Sequence, residues 1–320
     1  MKAMLLESFG SLPKIATVVD PLPEGHSVVI EVKASGVCCS DWHCWLGHDT
    51  GGTMPHVPGH EFAGVVAEVG SHVSRFRIGD RVMIPFINAC GSCPECYTGN
   101  QQVCTYQTQP GFTHWGSFAQ FTRVDQADHN LVPMPTSMSF ETAASLGCRF
   151  VTAFRAVVDQ SQVKPGVWVA VHRCGGVGLS SIMIAVAMGA RVVAVDVDQN
   201  KLKMAKAFGA SATVDASAID QVGAAIQDLT GGGAQVSLDA FGHPQACVNS
   251  IQSLRPLGRH VQVGLLMADQ ANPALPMDIV IGKELEIVGS HGMQAHRYPA
   301  MLQMIESGRL RPEQLLGRTI

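Results

Sequence analysis

Apolar residues in the first half of the chain form short runs that are bounded by Gly, Pro and polar residues. Runs of this kind at 28–32, 62–69 and 77–83 predict short β-strands, because β-branched residues between turn residues are typical of partly buried strands. The pattern favours a small β-barrel or sandwich for this half of the chain.

The pattern changes near residue 153, within a helix predicted over 152–160. Beyond it, continuous apolar runs typical of buried strands alternate with stretches typical of helices. Strands that alternate with helices predict a parallel sheet with crossover helices on its faces. The predicted strands are 167–171, 191–195, 212–214, 236–240, 260–263 and 286–288, and the predicted helices are 179–188 and 201–208.

Composition narrows the class of protein. The chain has 320 residues, which indicates two domains at ~150 residues each. Its 46% apolar and 15% charged residues exclude a disordered chain. The net charge of −4 gives no basic surplus for nucleic acid or anionic lipid, and no apolar run reaches the ~18 residues of a membrane span. The first residues show no secretory signal, so we expect a cytoplasmic protein.

Ten cysteines stand out, because in the cytoplasm they are more often metal ligands or catalytic thiols than disulfides. Four of them lie in a stretch, 86–115, whose Gly, Gln, Thr and Pro content predicts a loop or lobe. Their C-x2-C-x2-C-x7-C spacing suits one tetrahedral zinc ion without an open position, which is a structural site. An iron–sulfur cluster is the alternative. The four residues are Cys90, Cys93, Cys96 and Cys104.

A second set of candidate ligands is dispersed over three segments. Cys38 lies in a Gly-Val-Cys-Cys-Ser-Asp-Trp-His run, His60 in a Gly-His-Glu triplet, and Cys148 follows a glycine. Each alone is more often a core residue than a ligand. Together they offer two thiolates and an imidazole, the ligand pattern of a catalytic zinc site with a free fourth position.

These segments, the four-cysteine lobe and a Gly-Gly-Val-Gly turn at 175–178 follow one another as in the medium-chain zinc-dependent alcohol dehydrogenases, which nearly the whole chain resembles. The resemblance implies an α/β protein with a GroES-like β-barrel catalytic domain over 1–152, including a zinc lobe near 86–115. It also implies a Rossmann NAD-binding domain with a doubly wound parallel sheet over 153–291. Residues 292–320 would return to the catalytic domain and end earlier than in the family.

The resemblance also assigns roles at the dispersed set. Cys38, His60 and Cys148 match the catalytic zinc ligands. Four further residues match, in turn, the hydroxyl that bonds the substrate oxygen, the carboxylate that orients the histidine ligand, the distal histidine of a proton relay and the acidic residue behind the zinc. They are Ser40, Asp41, His43 and Glu61. Such outer partners fix ligand orientation and tune ligand basicity.

The glycine turn follows a predicted strand and opens a predicted helix, as a dinucleotide-binding turn requires. A carboxylate at the end of the next strand can bond both ribose hydroxyls and would repel a 2′-phosphate, so Asp196 favours NAD over NADP. The resemblance adds one lysine near the ribose and three residues near the nicotinamide. The predicted cofactor-binding residues are Gly175, Gly176, Val177, Gly178, Asp196, Lys201, Thr152, Val263 and Gly264.

Two positions depart from the family pattern. Arg173 stands where the turn usually begins with glycine, and a side chain there must avoid positive φ or accept strain. Cys39 stands where the family usually has a His or Arg that contacts the pyrophosphate. One hypothesis is that Arg173 supplies the charge that position 39 lacks, and the alternative is that Arg173 points to solvent.

The resemblance implies an enzyme that interconverts an alcohol and an aldehyde or ketone by hydride transfer to and from NAD, with two zinc ions per chain. Its partners would be small molecules, with no nucleic acid and no membrane. A homotetramer is favoured, with a homodimer as the alternative. Other functions remain open: a polyol, threonine or formaldehyde-adduct dehydrogenase on the same scaffold, or a non-catalytic zinc- and nucleotide-binding protein.

Overall fold

A computed structural model describes residues 1–48 and 53–320. The chain divides into two compact units. Unit 1 consists of Met1–Val151, Gly292–Gln303 and Pro312–Ile320, and unit 2 consists of Thr152–His291 and Met304–Arg311.

The strands are short in both units. They are β1 (Lys2–Leu5), β2 (Lys14–Thr17), β3 (Val28–Gly36), β4 (Glu61–Val69), β5 (Arg81–Ile84), β6 (Phe121–Val124), β7 (Val132–Pro133), β8 (Trp168–His172), β9 (Arg191–Asp196), β10 (Ala212–Asp215), β11 (Ala234–Asp239), β12 (Leu254–Gln262) and β13 (Glu286–Gly289).

The helices lie between these strands and after the last of them. They are α1 (Cys39–Trp45), α2 (Pro94–Tyr97), α3 (Ala127–Asn130), α4 (Phe140–Ser145), α5 (Val151–Arg155), α6 (Gly176–Ala187), α7 (Gln199–Ala207), α8 (Val222–Thr230), α9 (Pro244–Gln252), α10 (Met277–Gly282) and α11 (Tyr298–Glu306). Among the residues with described positions, every helix is too short or too polar to cross a membrane.

Unit 1 is built on a five-stranded sheet in the order β6-β3-β4-β5-β7, in which neighbouring strands are antiparallel. Its core consists of fully buried apolar side chains from these strands, among them Val28, Ile30, Phe62 and Ile84. The long β3–β4 ladder pairs Gly36 with Glu61 at one end of both strands. That end of the ladder therefore brings the Cys38 and His60 segments together.

Unit 2 contains a six-stranded parallel sheet in the order β10-β9-β8-β11-β12-β13. The chain begins in the middle with β8, moves outward to β10, and returns to the other side of β8 with β11. Strand order reverses beside β8, and in open α/β sheets ligands bind where the carboxyl ends of the strands meet such a reversal. The predicted parallel sheet is confirmed, and this strand order is that of the Rossmann fold.

The helical segment from α4 to residue 160 is less regular than the sequence predicts. Two π-helical turns, Leu146–Phe150 and Ala156–Gln160, flank α5. The buried hydroxyl of Tyr298 donates to the carbonyl of Leu146 over 3.3 Å and so ties the first π turn to α11. Since π turns are frequent at functional sites, the position of Cys148 inside the first one favours a functional role for this residue.

Several short elements were not predicted. The β1–β2 hairpin, β6 and β7 have only two to four residues per strand, and partly exposed positions give them no clear apolar run. The first helix of unit 2 after its glycine turn begins at Gly176, three residues before the predicted start at 179. Gly176 and Gly178 thus lie in the first turn of the helix itself, where its free N–H groups lie, and Gly175 caps it.

Candidate active site

The four cysteines of the lobe lie together around one point. Their sulfur atoms are all within 4.8 Å of one another. The Sγ of Cys93 is 3.4 Å from that of Cys96 and 3.6 Å from that of Cys104, and Cys90 and Cys96 are 4.0 Å apart. Sulfurs of a tetrahedral zinc site with Zn–S bonds of ~2.3 Å are about 3.8 Å apart, so the observed spacing suits zinc.

The second cluster joins the three dispersed segments. Cys38 immediately precedes α1, His60 immediately precedes β4, and Cys148 lies in the first π turn. One ligand atom from each of them, together with a carboxylate oxygen of Glu61, lies within 4.8 Å of the others. The structure therefore brings together the three residues predicted as ligands, with the predicted acidic residue beside them.

Asp41 orients two of these residues at once. One carboxylate oxygen accepts a hydrogen bond from His60 Nδ1 at 2.9 Å, and the other accepts from the backbone N–H of Cys38 at 2.8 Å. The imidazole is fully buried, and its Nε2 has no hydrogen-bond partner among residues 1–48 and 53–320. An unpartnered buried nitrogen aimed at two thiols is expected of a metal ligand, so these residues fit a zinc ion.

The electrostatics of the thiols agree with this fit. A hydrogen bond from Cys148 lowers the pKa of the Cys38 thiol to about 3, which makes Cys38 a thiolate at neutral pH. That same hydrogen bond, followed by burial, raises the pKa of Cys148. Burial opposes protonation of His60, but the hydrogen bond to Asp41 and the negative charges of Asp41 and Cys38 outweigh it and raise its pKa to about 10. A divalent cation would displace the protons on Cys148 and His60 as it binds.

Ser40 and His43 lie on α1 next to the cluster. The hydroxyl of Ser40 is 3.8 Å from the Sγ of Cys38. His43 is one helical turn further, and three-residue spacing places both side chains on one face of the helix. Burial, followed by the nearby charge of His48, lowers the pKa of His43. His43 is therefore neutral at pH 7 and can accept a proton.

His48 was not predicted as a site residue. Its Nδ1 lies 3.0 Å from the Nδ1 of His43, so one ring donates a hydrogen bond to the other and only one of the two atoms carries a proton. The side chain of His48 is exposed. A second histidine five residues after His43 was the available sequence signal, but a spacing of five does not by itself predict contact.

Arg149 was likewise not among the predicted site residues. Its guanidinium pairs with the carboxylate of Glu61, which is completely buried. Burial raises the pKa of Glu61, and the charge of Arg149 opposes that rise. The sequence signal was a lone charge within an apolar helical stretch, where a buried counter-charge is needed.

In unit 2 the glycine turn has the close packing that dinucleotide-binding turns require. A Cβ at Gly178 would lie 1.8 Å from the carbonyl oxygen of Arg173, so no other residue fits there. Asp196, at the end of β9, accepts backbone hydrogen bonds from Cys174, Val197 and Asp198. A carboxylate has about four acceptor positions, so Asp196 retains acceptor capacity beyond these three bonds.

Arg173 adopts the strained option that the sequence raised, with a φ of 77°. Its guanidinium carbon lies 4.1 Å from the ring centre of Phe241, and that ring in turn stacks on His243 at 5.5 Å. Arg173 is thus held at the carboxyl ends of β8 and β11 by a cation–π contact. Cys39, the other departure, is exposed.

The remaining predicted cofactor residues are spread over unit 2. Thr152 is buried in α5, and Lys201 is partly exposed in α7. The backbone N–H groups of Val263 and Gly264 both donate to the carbonyl of Asp239 at the end of β11. Val263 and Gly264 therefore lie beside the strand that carries Asp239, at the same edge of the sheet as the glycine turn.

Both parts of the chain match known families. The family "Alcohol dehydrogenase GroES-like domain" matches residues 24–136, and "Zinc-binding dehydrogenase" matches residues 176–307. A fold of this kind with these clusters defines a zinc-binding dehydrogenase, and curated relatives specify the family further. An alcohol dehydrogenase of Geobacillus stearothermophilus is 36% identical over 267 residues, which are 83% of this chain and 78% of that protein.

Further relatives agree with this assignment. An alcohol dehydrogenase of Rhizobium meliloti (strain 1021) is 35% identical over 295 residues, or 91% of this chain and 84% of that protein. A crystal structure of an NAD-dependent alcohol dehydrogenase superimposes with a TM-score of 0.86 at 31% identity, covering 97% of this chain and 90% of that one. The chain belongs to the zinc-dependent alcohol dehydrogenase family, as its motifs predict.

Proposed function

We propose that this protein is an NAD-dependent alcohol dehydrogenase that interconverts an alcohol with an aldehyde or ketone at the cluster of Cys38, His60 and Cys148. The observation that carries the proposal is the buried Nε2 of His60. Within the described part of the chain it has no hydrogen-bond partner, and it lies with two thiols and a carboxylate in one cluster. A non-catalytic protein has no need for such a three-ligand set beside a serine hydroxyl.

Cys38, His60 and Cys148 would hold the zinc ion, which when bound supplies a Lewis acid for the substrate oxygen, while NAD supplies the hydride acceptor. Asp41 keeps the His60 ring in the orientation that directs Nε2 at the metal position. The two thiolates offset the charge of a divalent cation. The fourth ligand position is then available to substrate.

The chain's own residues manage the proton of the alcohol. We assign to the Ser40 hydroxyl the hydrogen bond to the substrate oxygen, because it lies beside the ligand Cys38. His43, on the same face of α1, holds the released proton. Its contact with the exposed His48 gives that proton a route to solvent. Neutral imidazole at pH 7 is the form that accepts a proton.

The residues of the glycine turn bind the cofactor in this proposal. The N-terminus of α6 offers free N–H groups to the pyrophosphate, and close packing at Gly178 allows the backbone to approach it. Asp196 retains about one acceptor position for a ribose hydroxyl and favours NAD over NADP. Lys201, Thr152, Val263 and Gly264 keep the roles that the family resemblance gives them.

We further propose that the four-cysteine lobe holds a second, structural zinc ion, and that the enzyme works in the cytoplasm as a homotetramer, with a homodimer as the alternative. The sulfur spacing supports the zinc ion, and only the family resemblance supports the assembly. Metal analysis should find two zinc ions per chain. Light scattering after size-exclusion chromatography should give a mass of four chains.

The deciding experiment for the function is a substrate screen with zinc-loaded protein. Primary, secondary and aromatic alcohols, polyols, threonine and a formaldehyde–thiol adduct would each be tested with NAD and with NADP. We expect NADH formation with at least one simple alcohol and a preference for NAD. Bound zinc and bound NAD without any turnover across this panel would instead support a non-catalytic protein.

A further inference from the structure

The pair formed by Glu61 and Arg149 raises a question about the fourth ligand position. Glu61 lies close enough to Cys38, His60 and Cys148 to be counted with them as a ligand. Carboxylate oxygen is a good zinc ligand, and four protein ligands would close the site as in a structural zinc centre. Something must therefore keep Glu61 from occupying the position that substrate needs.

Arg149 engages both oxygens of the Glu61 carboxylate. Its Nη2 donates to Oε2 over 2.6 Å, and its Nε donates to Oε1 over 2.9 Å. The backbone N–H of Arg149, freed by the π turn, adds a third donor to Oε1 at 3.0 Å. Paired parallel bonds from a guanidinium are among the strongest that a carboxylate makes.

The backbone packs tightly around the Glu61–Arg149 pair and restricts where the Glu61 side chain can lie. A Cβ at Gly36, the ladder partner of Glu61, would lie 2.6 Å from Oε2 and 3.3 Å from Nη2 of Arg149. A Cβ at Gly147 would lie 3.2 Å from the Cα of Glu61. Two glycines thus make room for the carboxylate on one side and for its backbone on the other.

Charge balance indicates what Arg149 prevents. The two thiolates would neutralise a divalent ion, and Arg149 neutralises Glu61. The charge of the metal site and the charge of Glu61 are therefore each balanced without the other. Without Arg149, Glu61 would be a fully buried carboxylate without a counter-charge, which is strongly unfavourable. The nearest remaining positive charge would then be the metal ion, and the Glu61 carboxylate would coordinate it.

We propose that Arg149 is a positioning residue that withholds Glu61 from the metal ion and thereby keeps the fourth position open to substrate. This inference rests on the proposed function, because it requires a zinc ion at Cys38, His60 and Cys148. With Arg149 present the fourth position is open, and without it Glu61 closes the site. Substrate binding, rather than metal binding, is what the residue protects.

The test uses full-length protein in which cobalt replaces zinc, with imidazole as an exchangeable ligand. Imidazole should change the cobalt absorption of the wild-type protein, and the lobe cannot contribute because its four thiolates leave no exchangeable position. In Arg149→Met, half-saturation should require at least about tenfold more imidazole, the lower end of the effect of losing a residue that orients a group beside a metal ion. Circular dichroism would check the fold of each variant.

Two matched variants keep the test decisive. Glu61→Gln/Arg149→Met removes both charges, so imidazole binding should return to within about threefold of the wild type, inside the usual additivity error. Arg149→Lys keeps a charge without the paired bonds and should fall between the wild type and Arg149→Met. If Arg149→Met does not fold, the other two variants still test the proposal, because the double variant should bind imidazole more tightly than Arg149→Lys does.

The outcomes separate the inference from the proposed function. Wild-type imidazole affinity in Arg149→Met or in Arg149→Lys, with cobalt bound, would overturn the role of Arg149 and leave the metal site intact. Equal weakening in Arg149→Met and the double variant would also overturn it, because the loss would not depend on Glu61. A wild-type protein whose cobalt absorption ignores imidazole would refute the open site itself, and with it the proposed function.

Discussion

The two cysteine clusters of unit 1 hold similar ligand atoms in opposite ways. The lobe takes Cys90, Cys93, Cys96 and Cys104 from fifteen consecutive residues and offers four sulfurs. The dispersed cluster takes Cys38, His60 and Cys148 from three segments, and the Glu61 carboxylate beside them is paired with Arg149. A local, closed set suits stability, and a dispersed set with one ligand withheld suits chemistry.

The difference also appears in what surrounds the ligands. The lobe sulfurs accept hydrogen bonds from nearby backbone groups, such as the N–H of Ser92 to Cys90. The dispersed cluster is instead held by side chains from other segments: Asp41 orients the ligand His60, and Arg149 engages the neighbouring Glu61. Substitutions in the two clusters should therefore fail in different ways.

The largest effect is expected from Cys38→Ser. Loss of the open zinc site should lower turnover by about a thousandfold or more, since several kcal/mol of charge stabilisation are lost and ~1.4 kcal/mol is tenfold. Zinc content should fall from two ions to one, and NADH binding, followed by fluorescence, should persist. Cys39→Ser, an exposed cysteine in neither cluster, is the control. Joint loss of turnover and NADH binding would indicate misfolding instead.

Cys93→Ser should produce the contrasting effect. Removing a ligand of the closed site withdraws zinc binding energy from folding, so the apparent Tm should fall by roughly 10 °C. Turnover per folded molecule should remain near the wild-type value at low temperature. The measurement is thermal unfolding alongside metal content. A variant with unchanged Tm but no turnover would reverse the roles that we assign to the two clusters.

The sequence predicts these clusters unequally, for a physical reason. Four cysteines within fifteen residues can reach one ion whatever the fold, so spacing alone predicts the lobe. Cys38, His60 and Cys148 meet only because β3 and β4 pair and the π turn follows. Their residue types suggested a three-ligand zinc set, but their spacing did not show that they meet, and the family resemblance supplied that. Parallel strands in unit 2 were predictable, because long apolar runs mark strands buried on both faces.

Arg149 shows what remained out of reach. Helical periodicity gives no sign of a π turn, and the pairing of Arg149 with Glu61 depends on which way that turn directs its N–H. The same applies to His43 and His48, whose contact depends on where the chain turns after α1. Contacts between segments set these details, and a single sequence does not contain them explicitly.

A smaller effect is expected from His43→Gln. This variant tests the dispersed cluster through the pH dependence of alcohol oxidation, a property that the lobe should not affect. Burial lowers the pKa of His43 below its usual 6.5, so the neutral, proton-accepting form is lost only below that pH. Alcohol oxidation should therefore rise with pH through a pKa under 6.5. The variant should lack this step and run about 10- to 100-fold slower. His26→Gln, an exposed histidine elsewhere, is the control, and an unchanged profile in His43→Gln would exclude the relay.

The smallest effect is expected from Arg173→Ala, which should alter neither cluster. If Arg173 faces the cofactor phosphates, NADH affinity should fall by up to about fivefold, the worth of an exposed charge pair. Fluorescence titration measures this, with Arg191→Ala as a control, since that residue also stacks on an aromatic ring. Unchanged or tighter binding would mean that Arg173 contributes nothing to the cofactor.

The contrast between the clusters can be tested in one experiment: stepwise removal of zinc by a chelator, with alcohol-dependent NADH formation measured at each zinc content. We expect the rate to fall to zero as one zinc ion per chain leaves, while circular dichroism shows a folded protein that still holds the other ion. Turnover that persists until both ions are gone, or that never depends on zinc, would contradict the account.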